Sequence, residues 1–234
     1  MCSSDLSVEA AEQMADALLD RGVRNAVNLP TADTKELELL RPYTTLAERM
    51  GSLGMQLCAC ARGASASGGG IKAVEISFSG EITKHNVKLV TTSFLCGLLR
   101  PMFAEGVNLV NAPFLAAERG IQVRETTSNV PGDFTNLIAA TIETDEGKRS
   151  VAGTLFGKRD ARIVEIDGYM VEAIPQGNML VLFNYDRPGL IGAIGTLLGR
   201  HKINIARMTF GRREAGGDAI TVLNVDSPVP PAVL

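Results

Sequence analysis

Apolar positions recur along the chain with two different periods. Val8, Ala11, Ala15 and Leu18 recur at helical spacing, with Met14 and Leu19 widening the stripe and Gly22 as a stop. A helix of about 15 residues is too short to stand without a partner. Ala26-Val27-Asn28-Leu29-Pro30 is then extended, because the residue before proline avoids the helical region. Leu37 to Arg41 reads as a short helical patch, and Pro42 as the first turn of a new helix. The apolar face of that new helix is Tyr43, Leu46, Ala47, Met50, Leu53, Gly54 and Leu57. Arg62 to Gly70 is rich in Gly, Ser and Ala and reads as a linker loop. It has neither a G-K-[ST] ending nor a G-x-G-x-x-G, so it is not a phosphate cradle.

From Ala73 to Ser79 the residues alternate, with Val74, Ile76 and Phe78 on one face and Glu75 and Ser77 on the other, as in a half-buried strand. Asn86 to Phe103 returns to the helical period, with Val87, Val90, Phe94, Leu95, Leu98 and Met102 facing a core and Pro101 bending or ending the helix. Asn111-Ala112-Pro113 opens another helix, closed near Arg119-Gly120. Five strands are predicted next: Ile121 to Thr127, Phe134 to Thr144, Ser150 to Phe156, Arg162 to Ile166 and Tyr169 to Ile174. Asp145 to Lys148 and Asp167-Gly168 are hairpin turns. The mixture lacks βαβ regularity and is α+β. Pro175-Gln176-Gly177 reads as a boundary. Beyond it come an apolar strand, Met179 to Phe183, and a helix with Pro188 at its first position and Leu190, Ile191, Ile194, Leu197 and Leu198 on one side. Strands Lys202 to Arg212 and Asp218 to Val225 follow, joined by Glu214 to Gly217. This β-α-β-β order is a ferredoxin-like unit short of its last helix and strand.

Composition narrows the chemistry. The 234 residues are 45% hydrophobic and 21% charged with a net charge of -3, enough for two cored domains and without the basic footprint of a nucleic-acid partner. No apolar run reaches the roughly 18 residues of a membrane span. With 2 His, 4 Cys and no Trp, a His/Cys metal centre or a multi-histidine active site is hard to build. Cys58-Ala59-Cys60 is not a C-x-x-C pair, and Cys2 and Cys96 stand alone, as buried thiols of a reducing compartment would. The start has no signal-peptide pattern, so the cytoplasm is expected. Met1 to Leu6 has no relation to the helical pattern after it. It reads as the translation of a sequencing-adapter end, the alternative being a genuine short cap segment.

Asn184-Tyr185-Asp186-Arg187-Pro188-Gly189-Leu190-Ile191-Gly192, followed by Lys202-Ile203-Asn204-Ile205, resembles an ACT domain. The region before it is similar to the intervening domain of the long, ACT-bearing D-3-phosphoglycerate dehydrogenases. Val110-Asn111-Ala112-Pro113, Ala117-Glu118-Arg119-Gly120, Gly153-Thr154-Leu155-Phe156-Gly157 and Ile166-Asp167-Gly168 carry that resemblance. Asn25 to Pro30 resembles the stretch after the last helix of the family's catalytic core. The resemblance covers nearly all of residues 7 to 231. It implies four parts: 1–6 non-native, 7–30 the end of the catalytic core, 31–175 a mixed α/β intervening domain of the allosteric substrate-binding kind, and 176–234 a truncated ACT domain.

The family oxidises 3-phosphoglycerate with NAD in serine synthesis. Its dinucleotide fold and catalytic residues lie upstream of what is present, so no catalytic residue, metal or cofactor is expected in this chain, nor turnover by it alone. Gly189, Gly192 and Gly195 are spaced by three on a helix and read as close-packing positions, not a pyrophosphate site. An amino acid carries two opposite charges, and the ACT turn answers both. Asp186 offers an anion to an ammonium group, the helix N-terminus after Gly189 offers N–H groups to a carboxylate, and Asn204 offers a donor and an acceptor. Asn184 and Tyr185 stand beside them. The alternative is that Asp186 and Arg187 only shape the turn and cap the helix. In the family, serine binds at ACT interfaces between subunits, which implies a homo-oligomer. Some members use a His near position 184, where this chain has Asn. Arg100, Lys158, Arg159 and Arg162 are candidates for a second anion site in the intervening domain, or simply a solvated face. His201 reads as a helix-dipole partner and His85 carries no chemistry.

Two other functions compete with a regulatory region: the ACT-bearing part of an iron–sulfur L-serine dehydratase, and a free-standing amino-acid sensor. Cluster cysteines are missing for the first. The orphan apolar stripe Val8 to Leu19 speaks against the second.

Overall fold

A computed structural model describes residues 34–60, 70–103, 106–128 and 133–234, together with the helical positions Val8, Ala11 and Ala15. The six-residue start, the extended 25–30 segment, most of the first helix and the linker 62–69 lie outside the described residues. Helix α1 is Thr34–Cys60, β1 is Ile71–Gly80 and α2 is Val87–Leu99, which runs into a 3-10 turn at Arg100–Met102. Helix α3, Ala112–Glu118, precedes strands β2 (Gln122–Ser128), β3 (Asn136–Thr144), β4 (Gly147–Phe156), β5 (Asp160–Ile166) and β6 (Tyr169–Ala173). Strand β7 (Asn178–Tyr185), α4 (Leu190–Arg200), β8 (Ile205–Arg212) and β9 (Asp218–Val225) complete the order, ahead of a 3-10 turn at Pro231–Val233.

The first six strands form one sheet in the order β2-β1-β3-β4-β5-β6, and the last three another, β7-β9-β8. Among the described strands of this sheet only β1 and β2 pair in parallel. Val74, Ile76 and Phe78 of β1 and Ile138, Ala140 and Ile142 of β3 turn one face of the large sheet to α1 and α2. Helix α2 is buried from Leu89 to Leu99, which explains its apolar residues on all sides. Asp167 and Gly168 both have positive φ, 48° and 78°, as the two-residue turn between β5 and β6 requires.

The small sheet is apolar on both faces. Leu180, Leu182, Leu223 and Val225 pack with Leu198 of α4, while Met179, Val181, Ile220 and Val222 join the core of the large sheet. That is why β7 reads as a continuous apolar run. Hydrogen bonds stitch the contact between sheets: Thr209 Oγ1 donates to Glu172 O (2.6 Å), and Asn224 Nδ2 to Ile174 O (2.9 Å) and Gln176 O (3.1 Å). The fold is therefore mixed α/β, with a ferredoxin-like β-α-β-β unit in which the third strand is central.

Several expectations need correction. Pro42 does not start a helix; it lies inside α1. The hydrogen bond it forfeits belongs to Glu38, which is exposed to water, while fully buried Leu40, Leu46 and Met50 hold both sides of the helix to the core. Pro188 is not the first residue of α4; Gly189, at φ 87°, is its N-cap. Lys202 also has positive φ (58°), so β8 begins at Ile205 and not at Lys202. The alternation of β2 buries neither face, because β2 is an edge strand exposed throughout; Ile121 just before it is the buried residue. Gly192 and Gly195 do not pack closely, since a Cβ at either would meet nothing within 4 Å. The close packing is elsewhere. Gly51 and Gly97 let α1 and α2 touch backbone to backbone, and a Cβ at Gly97 would overlap Glu48 O.

Gly97→Ala should therefore destabilise the chain by about 1–3 kcal/mol by overpacking, although helix propensity alone favours alanine by about 1 kcal/mol. Gly199→Ala, in open space on α4, should be neutral or stabilising. Denaturant midpoints of both variants check this; equal midpoints would contradict it.

Candidate effector site

The turn after β7 is shaped by one carboxylate. Asp186 Oδ2 accepts from the Arg212 guanidinium at the end of β8 and from Gly216 N (3.2 Å), and its own N–H donates to Gly217 O (2.9 Å). The Arg212 hydrogen bond, then the Gly216 N–H, holds its carboxyl below the usual aspartate range. Asp186 thus caps the β8–β9 loop and not α4, whose N-cap receives no side-chain hydrogen bond. Gly189 reverses the chain in the left-handed region and presents the first turn of α4 without that cap. Arg187 lies over the exposed Tyr185 ring at 5.4 Å. Asn184 is turned inward, accepting from Thr221 Oγ1 (2.9 Å) and donating to Tyr185 O (3.2 Å).

Asn204 is exposed between α4 and β8, and its Nδ2 donates to Asp226 Oδ2 (2.8 Å). Asn184, Tyr185, Asp186 and Gly189 are together; Asn204 is not with them. Tyr185 pairs with Asp218 at one end of β9, and Ile205 with Val225 at the other. Seven residues of strand separate those ends, about 23 Å at roughly 3.3 Å per residue. One chain cannot bring Asp186 and Asn204 to one small ligand.

The basic candidates are spread over two layers. Arg100, at the end of α2, pairs with Glu48 of α1. Arg162 on β5 is nearly buried, pairs with Asp160 and lies 3.6 Å from Glu172. Lys158 and Arg159 sit exposed in the β4–β5 turn. The arginines carry their own counter-charges, so the four make no single patch of uncompensated cations. Separately, a cavity of about 510 Å³ lies between α2, α3 and β2, lined by Lys88, Thr91, Leu95, Ala117, Val123 and Glu125. It holds none of the candidate site residues read from the sequence. Burial pushes the Cys96 thiol up to about 11. His201 is the exposed C-cap of α4. Among the described residues no group of three or more His, Cys, Asp and Glu could hold a metal, and no helix is long and apolar enough to cross a membrane.

Sequence reasoning missed the partners of both site residues, Arg212 and Asp226. The signal was available for Arg212: Arg212-Arg213 is a basic pair at a strand end, just before a turn.

Residues 39–167 match the D-3-phosphoglycerate dehydrogenase intervening domain, and residues 178–234 match the ACT domain. The chain belongs to the D-3-phosphoglycerate dehydrogenase family. The chain is 38% identical to the D-3-phosphoglycerate dehydrogenase of Methanocaldococcus jannaschii over 224 residues, 96% of the chain and 41% of that protein. The Archaeoglobus fulgidus enzyme is 36% identical over 226 residues, covering 96% of the chain and 41% of that protein. The Synechocystis enzyme is 36% identical over 231 residues, covering 98% and 40%. The chain thus spans about two fifths of the length of these dehydrogenases. Asp186, Gly189 and Asn204 all fall within its ACT domain.

The Asp186 carboxyl should titrate below the ordinary aspartate value of 3.8, and Arg212→Gln should move it back up. Because the folded value is lowered, the stabilisation is complete above the ordinary value and is lost as pH falls through the lowered one. A carboxyl-carbon NMR titration of both proteins checks this; identical titrations would contradict it.

Proposed function

We propose that this chain is the effector-sensing, subunit-associating region of a cytoplasmic D-3-phosphoglycerate dehydrogenase, and that its effector is L-serine or another small amino acid. The observation that carries the reading is the placement of Asp186 and Asn204 at opposite ends of one three-stranded sheet. Each is suited to a different half of an amino acid, and only a second copy of the chain can join them. Asp186 of one copy takes the ammonium group, and the uncapped first turn of α4 takes the carboxylate. Asn204 of the other copy closes the site with its amide, which can donate to the carboxylate and accept from a side-chain hydroxyl. A self-complementary contact of this kind makes two equivalent sites per dimer.

In the whole protein such a ligand would bias the association of subunits, and thereby an NAD-dependent oxidation of 3-phosphoglycerate at a separate site. The coupling is a difference in ligand affinity between two arrangements of the subunits. Family membership supports this reading over an iron–sulfur dehydratase or a free-standing sensor.

Mixing two defective chains tests the reading. Asp186→Ala and Asn204→Ala should each abolish L-serine binding by calorimetry. After co-refolding at equal amounts, about a quarter of the wild-type site number should return, because half the dimers are mixed and each has one intact site. No recovery in the mixture, with both parents dimeric, would contradict a site shared between copies.

A further inference from the structure

The Asp186 carboxylate is paired within the chain. Arg212 donates to Oδ2, and Gly216 N–H donates to the same oxygen at 3.2 Å. Arg212 and the Gly216 N–H thus hold Oδ2, and a ligand ammonium competes with Arg212 for this carboxylate. The neighbouring Arg213 fixes this arrangement from the other side. Arg213 Nη2 donates to Asp167 O (2.9 Å), and its guanidinium stacks 4.7 Å from the Tyr169 ring. Adjacent residues at a strand end point to opposite faces, so anchoring Arg213 on the large sheet leaves Arg212 directed at Asp186. The Gly216-Gly217 turn brings its backbone to the same carboxylate, with Gly216 at φ 76°.

We propose that Arg212 is a specificity-determining residue of the effector site: an internal cation that occupies Asp186 and that a ligand must displace with an ammonium group of its own. This rests on the effector reading above and deepens it. A ligand without the amine gains nothing from Asp186, because it leaves the Arg212 pair in place. A ligand with the amine exchanges one ion pair for another and gains only the difference. Arg212 thus lowers affinity for amino acids while leaving their hydroxy-acid analogues unaffected. The pair is half exposed on the arginine side, so the effect is modest, on the order of threefold or more in affinity.

The test is calorimetric titration of the full chain and its Arg212→Gln variant with L-serine and with L-glycerate, in which a hydroxyl replaces the amine. The variant should bind L-serine about threefold tighter or more and L-glycerate no tighter. Arg212→Lys, which keeps the charge but loses the fork, should fall between. Independently of any variant, the Arg212 guanidinium NMR signal should move toward that of an unpaired arginine as L-serine is added to the wild-type chain. If wild type binds L-serine and Arg212→Gln binds it equally or more weakly, or gains equally for L-glycerate, the Arg212 proposal is overturned and the effector reading stands. If neither wild type nor variant binds L-serine, both fail together.

Discussion

The Arg149 guanidinium donates through Nε and Nη2 to Leu57 O (3.3 and 3.1 Å) and through Nη1 to Asp167 Oδ2 (2.7 Å), and lies 5.2 Å from the Phe183 ring. Leu57 O is one of the last four carbonyls of α1, which no helical N–H can reach. Asp167 in turn fixes the β5–β6 turn, its other oxygen accepting from Ser150 N (2.8 Å). Phe183 belongs to β7. A single, partly buried cation thus touches the helix layer, the large sheet and the small sheet at once, beside the apolar contacts and hydrogen bonds that also join them. Losing it would leave the Asp167 carboxylate and a helix carbonyl partly shielded from water without their donor, which costs more than the net value of either bond.

That junction gives the small sheet a fixed face and a free one. Its Met179, Val181, Ile220 and Val222 side is spent on the large sheet, and α4 covers part of the other. The remaining exposure is at the strand ends and along α4, where Ile191 and Leu197 are uncovered among the described residues. Because β9 is central and antiparallel to both neighbours, β7 and β8 run the same way. The loop after β7 and the loop before β8 must then lie at opposite ends. Strand order alone therefore keeps Asp186 and Asn204 of one chain apart, and the proposed site between two copies rests on that separation. The same order places Arg212, at the far end of β8, beside Asp186, at the far end of β7.

What the sequence revealed depended on how local each cause was. Alternation in Val74, Ile76 and Phe78 and the stop at Pro101 are local, and the structure agrees with both. The hairpin at Asp167-Gly168 needed only its own two residues. Pro42 misled because its cost is local but its compensation, the burial of Leu40, Leu46 and Met50, is tertiary. Gly192 and Gly195 looked like packing glycines, whereas the glycines that carry contact, Gly51 and Gly97, face each other's helix across long sequence separation. Asp186 was legible as a turn residue. Its occupation by Arg212 was not, because 26 residues separate them and only strand order brings them together. The same holds for Asn204 and Asp226, and for the separation of Asp186 from Asn204.

A diffraction structure of the chain grown with L-serine addresses the central claim most directly. The account requires the ligand between two copies, its amine on Asp186 of one and its carboxylate or hydroxyl on Asn204 of the other, with Arg212 withdrawn from Asp186. Ligand held wholly within one chain, or in the cavity between α2, α3 and β2 with the Asp186–Arg212 pair undisturbed, would contradict it.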